Sequence, residues 1–191
     1  DLFALFGLSQ PAQIAFDLTN KVDGNLRQLC QSIIRAMGNV LGGIPFTGIT
    51  VLCGDNFFDD LIKNKEVRET YLNTQSAADL RTAYIDQSGS TWGQFSFGGL
   101  TFINYRGGIN IAGGPAVPTD ECVIFPTGVP GLFKEVYGPA DYVEAVNTMG
   151  KKRYAKQWLM DNDKGINMEA QTNVVTYCTR PGVLMRGKRG A

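Results

Sequence analysis

Two neighbouring stretches decide the fold: Leu26-Arg-Gln-Leu-Cys-Gln-Ser-Ile-Ile-Arg-Ala-Met-Gly-Asn-Val-Leu41 and Thr47-Gly-Ile-Thr-Val-Leu-Cys53. In the first, Leu26, Leu29, Cys30, Ile33, Ile34, Met37 and Leu41 recur at the 3, 4, 7 and 8 offsets of one helical stripe. Arg27, Gln28, Gln31 and Arg35 fall largely on the other face, so the spacing predicts a helix covered on one side only. Asp23 and Asn25 offer capping oxygens before it, and Gly42-Gly43 supplies a stop. The second stretch is β-branched, apolar and bounded by glycines, the pattern of a short buried strand.

Downstream, Gly54-Asp55-Asn56 reads as a turn with capping residues, and Phe57, Phe58, Leu61, Ile62, Val67 and Tyr71 continue helically in two pieces around Asn64. Ala77, Ala78, Leu80 and Arg81 favour a further helix over 76–84. Helix, strand, helix, helix makes residues 26–85 an α/β lobe. Upstream, residues 1–22 show no clean period around Pro11 and read as an extended leading segment.

Beyond Asp86 the character changes. Trp92, Gln94, Ser96 alternate with Phe95 and Phe97, and a second aromatic run through Phe102 and Tyr105 follows Gly98-Gly99, which predicts a β-hairpin over 92–105. Residues 107–119 form a Gly/Pro-rich excursion, Cys122–Phe125 a short strand, and 126–142 a long Gly/Pro-rich loop. Strand-like runs at 153–160 and 165–171 flank Asp161-Asn-Asp-Lys164 as a hairpin turn. Val174–Cys178 and Pro181–Met185 are read as finishing the sheet, with a loose basic tail from Arg186. The expected class is α+β. Its divisions are a leading segment over 1–25, a main α/β lobe with hairpin and loops over 26–150, and C-terminal strands plus tail over 151–191.

Composition narrows the function. The 191 residues carry 18 Lys+Arg against 18 Asp+Glu, so the surface lacks the long-range field that gathers phosphate backbones or anionic lipid. Zero net charge also does little to keep copies apart. The chain has no histidine, which removes Ser-His-Asp and Cys-His nucleophile pairs and His-ligated metals built from this chain alone. Cys30, Cys53, Cys122 and Cys178 are widely spaced, with no Cys-x-x-Cys pair; reduced, buried thiols are the expectation. No stretch reaches the roughly 18 apolar residues of a membrane span. The first residue is Asp, so a processed product or a fragment is expected.

Each chemical motif has a plainer explanation. Val51-Leu-Cys-Gly-Asp55 resembles a nucleophile elbow, but no histidine can serve as base, and Asp55, Asp59 and Asp60 disfavour a thiolate. The same three acids lack calcium-loop spacing and suit the first turns of a helix, where they oppose its dipole. Gly107-Gly108 and Gly113-Gly114 have no Lys-Ser/Thr continuation of a phosphate loop. Lys151-Lys-Arg153 and Arg186, Lys188, Arg189 are small basic clusters that read as solvated turns. Trp92, Phe95, Phe97, Phe102 and Tyr105 read as a core face rather than a base-stacking platform. No catalytic, cofactor-binding or metal site is expected, and the chain reads as a binding or building part.

Several stretches carry a family likeness. They are Thr50-Val-Leu-Cys-Gly-Asp-Asn-Phe-Phe-Asp-Asp60, Phe97-Gly-Gly, Asn104-Tyr-Arg-Gly107, Phe125-Pro-Thr-Gly-Val-Pro-Gly-Leu-Phe133, Pro139–Gly150, and Gln171-Thr-Asn173 through Thr179-Arg-Pro181. In this order, from near Leu8 to about Arg186, the chain resembles roughly the C-terminal two-thirds of the major capsid protein E family of tailed bacteriophages and prophages, the lambda-type major head protein. The resemblance implies a Hong Kong 97-like subunit with axial and peripheral lobes, residues 26–85 in the axial lobe and the terminal strands completing the peripheral sheet. It implies that the N-terminal arm and extended loop lie outside this chain. It further implies a structural protein, not an enzyme, that assembles with its own copies as pentamers and hexamers into an icosahedral shell around DNA. The implied place is the virion, after the host bacterial cytoplasm; scaffold or decoration proteins are further expected partners, with no sequence-specific nucleic acid, membrane or cofactor. Loops 107–119 and 126–142 and the tip of the axial lobe are expected at inter-subunit contacts, with Arg106, Phe133 and Tyr137 as candidate residues. The alternative reading is a cytosolic hydrolase or transferase that uses Cys53.

Overall fold

The computed structural model describes residues 2–19, 25–72, 93–109 and 113–190. The helix expected over 76–84, Trp92 and the capping residue Asp23 lie outside these residues. In chain order the first elements are α1 (Leu2–Leu5), β1 (Ile14–Ala15), α2 (Asn25–Leu41), β2 (Gly48–Cys53), α3 (Asp55–Lys63) and α4 (Lys65–Leu72). Then come β3 (Gln94–Phe97), β4 (Leu100–Asn104), β5 (Glu121–Thr127), β6 (Phe133–Tyr137), β7 (Tyr154–Leu159), β8 (Ile166–Gln171), β9 (Val174–Cys178) and β10 (Met185–Lys188). The chain forms two compact units: residues 1–130 with 180–191, and residues 131–179 inserted between them.

In the first unit six strands form one mixed sheet in the order β1-β10-β5-β2-β4-β3. β2 lies inside it, parallel to β4 and antiparallel to β5. Its alternation sends Ile49, Val51 and Cys53 into the core, where they meet Cys122 and Ile124 of β5. Of the buried stripe of α2, Leu26, Cys30, Ile33 and Met37 join the same core, and Leu41 is buried at its end. So do Phe57, Phe58 and Leu61 of α3, with Phe58 edge-on to Phe95 at 5.5 Å between ring centroids.

The β3–β4 hairpin turns through Gly98 and Gly99 at φ of 60° and 86°, the left-handed pair that a two-residue turn of matching twist requires. A Cβ on Gly98 would come within 2.7 Å of the Cys30 Cβ, so the glycine also lets α2 lie against the turn. Gln31 Nε2 then donates to the Gly98 carbonyl at 3.2 Å. The N-terminus of α2 is capped from afar: the Glu66 carboxylate accepts the Leu26 and Arg27 N–H groups, each at 3.1 Å.

The C-terminal residues differ from the loose tail expected of them. β10 pairs β5 on one side and β1 on the other. Met185 and Gly187 face inward, and a Cβ on Gly187 would strike the Phe16 ring at 2.6 Å. Arg189 reaches both Asp60 and Asp120 at 3.0 Å. The run Pro181–Val183 is a short 3-10 turn rather than strand.

The second unit holds two separate two-stranded sheets: β7 and β8 form the hairpin expected around 161–164, whereas Val174–Cys178, read as finishing the sheet, pairs with β6 in a ribbon of its own. β6 also falls inside the segment read as a loop over 126–142. Its turn between β7 and β8 places Asn162 and Asp163 at φ of 65° and 55°, a conformation that Asn and Asp tolerate well.

Candidate assembly surfaces

The thiol of the elbow-like motif is sealed. Cys53 ends β2 with no exposed surface and is weakly bonded to the Val51 carbonyl at 3.7 Å. Burial, with Cys122 directly across the strand pair, pushes its pKa well above the usual thiol value. A thiol held neutral and out of reach of substrate is no nucleophile, and this removes the basis of the Cys53 enzyme reading. Cys30, Cys122 and Cys178 are likewise buried thiols outside any disulfide.

The acids after Cys53 serve the fold. Asp55 opens α3 and accepts from Arg106 Nε at 2.9 Å; Asp60 takes Arg189 and lies 3.9 Å from Lys63. Among the described residues no group of three or more His, Cys, Asp or Glu side chains is placed to hold a metal ion. Phe95 stacks on Phe102 at 5.6 Å inside the core, so these rings offer no platform for bases. A groove of about 550 Å³ between α2 and α4 is lined by Arg27, Gln31, Arg35, Glu66 and Glu69. Its acids and bases offset one another, and Glu66 is already engaged as the α2 cap. No helix among the described residues is long and apolar enough to cross a membrane.

The three residues expected at subunit contacts are all at the surface. Arg106 belongs to the first unit and its guanidinium is largely exposed beside Asp55. Phe133 and Tyr137 stand on one face of β6 in the second unit, four residues apart, with Phe133 half exposed. Tyr137 Oη donates to the Glu135 carboxylate at 2.6 Å, and that bond raises the phenol above its usual pKa. Directly paired Val136 and Val175 form an exposed apolar couple on the opposite face of the same ribbon.

A larger apolar surface was not singled out by sequence reasoning. On the β7–β8 ribbon, Leu159 pairs with Ile166, and Met168 follows on the same face; all three are exposed. The signal was present as the alternation Ala155, Gln157, Leu159 and Ile166, Met168, Ala170, but alternation alone does not say whether a face is covered. On the other face Lys156 Nζ donates to both Glu144 oxygens at 2.9 and 3.0 Å, which lowers the Glu144 pKa, and lies 5.1 Å from the Tyr142 ring centroid.

Comparison with known proteins gives a consistent result. The family model described as phage major capsid protein E matches residues 1–189. The chain is 28% identical over 158 residues to the major capsid protein of Pseudomonas phage KPP10, covering 79% of this chain and 44% of that protein. It is 27% identical over 212 aligned positions to the major capsid protein of Salmonella phage Felix O1, covering 97% of this chain and 56% of that protein. The fold resembles a crystal structure described as a capsid protein of a prophage of E. coli CFT073, at a TM-score of 0.52 and 19% identity over 91% of this chain and 50% of that one. The chain thus spans about half the length of the curated relatives it matches.

Proposed function

The chain belongs to the phage major capsid protein E family, and on that premise we propose that the protein is a structural subunit of a phage or prophage head. In this reading it assembles with its own copies into a closed icosahedral shell around DNA, and it turns over no substrate. The observation that carries the reading is the family match over residues 1–189. The sealed Cys53 and the uncovered apolar ribbons of residues 131–179 support it, since a shell protein works through surfaces that only neighbours cover.

The finer picture is a Hong Kong 97-like subunit whose copies form pentamers and hexamers by head-to-tail contacts that close into rings. Many such contacts can each be weak, because an assembled shell sums them. Arg106, Phe133 and Tyr137 are assigned to these contacts, together with the loops 107–119 and 126–142. Scaffold and decoration proteins are the further partners in this reading. Assembly would begin in the host bacterial cytoplasm and end in the virion. Electron microscopy of the full-length gene product expressed alone or with its neighbouring head genes tests the proposal. Closed shells are expected; a product that stays monomeric under both conditions overturns it.

A further inference from the structure

We infer that the β7–β8 ribbon is a head-to-tail connector whose tip docks on the base of the same ribbon in a second copy of this chain, an inference that rests on the shell-subunit reading above. Among the described residues no third strand pairs with either edge of this ribbon, and two strands are marginal by themselves. At its tip Leu159 and Ile166 are paired across the strands, yet 67% and 58% exposed. At its base Met149 is 90% exposed, beside Tyr154, whose Oη lies 3.5 Å from the Met149 carbonyl. Apolar surface therefore stands open at both ends.

The charges at the two ends are opposite. Asp161 and Asp163 stand at the tip with Lys164, a net of one negative charge, and Lys151, Lys152 and Arg153 stand at the base. Among the described residues, Asp161, Asp163, Lys151, Lys152 and Arg153 make no ion pair within the chain, whereas the Lys156–Glu144 pair lies between the two ends. Both ends sit on fixed backbone. Lys151 N–H donates to Tyr154 Oη at 2.9 Å, Thr172 Oγ1 donates to the Lys152 carbonyl at 2.6 Å, and Met160 N–H closes the tip onto the Gly165 carbonyl at 2.9 Å.

Six residues of strand hold tip and base about 20 Å apart, so one chain cannot join its own two ends. Tip against tip and base against base both bring like charges together. The complement is met by another copy; a reciprocal antiparallel pair would satisfy the charges as well, but only the head-to-tail arrangement extends into the closed rings of the shell reading, and a ladder rather than a single dimer band distinguishes it.

The test uses the full-length protein. Asp163→Cys with Lys152→Cys in one chain is oxidised mildly after assembly and run on a non-reducing gel. The four native cysteines are buried, and a disulfide needs Cα atoms within about 7 Å, so any link at these positions joins two copies. A ladder of linked oligomers is expected, absent from either single variant. Monomer alone, from a preparation that forms shells, overturns the inference and leaves the shell reading standing; a wild-type protein that forms no shells overturns that reading first. A charge exchange covers the case in which the cysteine variant does not assemble. Lys151→Glu/Lys152→Glu/Arg153→Glu is expected to lower shell yield about tenfold or more, and adding Asp161→Lys/Asp163→Lys to restore it within about threefold. An unchanged yield in the first, or no recovery in the second, overturns the inference.

Discussion

The two units solve the burial problem in opposite ways. Residues 1–130 with 180–191 place one sheet, α2 and α3 around a shared core in which Phe57, Phe58, Phe102, Met37 and Leu61 are fully buried. Residues 131–179 bury Leu132, Ala140, Ala145 and Cys178 but leave Val143, Met149, Leu159 and Met168 in solvent. The first unit buries most of its large apolar side chains within the chain, with Leu5 and Ile109 as its most exposed exceptions. The second leaves a larger share of its apolar side chains in solvent, as a surface used for association would. In the proposed reading, stability and assembly fall to different stretches of one polypeptide.

Mutations can break this contrast, and the largest effect is expected in the first unit. Phe58→Ala removes a ring with no exposed surface and its edge-on contact with Phe95, and should cost about 3–5 kcal/mol in urea denaturation followed by circular dichroism. A cost near that of a surface substitution would mean that the core described for this unit does not carry its stability.

An intermediate effect comes from alkali. Burial raises the thiols of Cys30 (pushed up to about 12), Cys53 and Cys122 above their usual value of 9.0. Unfolded chains would release these protons near pH 9 while the folded protein keeps them, so the folded state binds more protons and stability falls as pH rises. The contribution is intact below about pH 9 and declines by about 1.4 kcal/mol per pH unit for each thiol until the folded value is reached. Urea midpoints at pH 8, 9 and 10 should decline, and Cys30→Ala should lessen the slope; equal slopes with and without Cys30 would sharpen the assignment to the other two.

The smallest effect on stability is expected in the second unit. Met168→Gln alters a side chain that is 82% exposed and should change stability by less than about 0.5 kcal/mol. The same substitution in the full-length protein should lower shell yield, scored by electron microscopy. A large stability loss without an assembly defect would reverse the roles given to the two units.

Much of the first unit was legible because its signals are local. The 3-4 spacing from Leu26 to Leu41, the alternation through Ile49, Val51 and Cys53, and the Gly98-Gly99 pair each fix an element within a few residues. β6 and β10 were not legible in the same way. Phe133–Tyr137 is a strand because Val174–Cys178 lies against it, and Gly/Pro neighbours mask the pattern. Met185–Lys188 reads as a basic tail until Gly187 is seen beneath Phe16 and Arg189 between Asp60 and Asp120. The assembly candidates divide likewise: the surface residues Arg106, Phe133 and Tyr137 could be nominated from sequence, whereas the exposed tip of the β7–β8 ribbon could not.

From the sequence alone came the absence of histidine chemistry, the balanced charge and the α+β class, because composition and short-range periodicity do not depend on what lies far along the chain; the family likeness came from a resemblance in the order of particular motifs. Tertiary structure alone decided which strands share a sheet, where the chain divides into units, and which apolar faces stay open. Those outcomes depend on long-range register and on coverage by distant elements, and neither is written in any single stretch of residues.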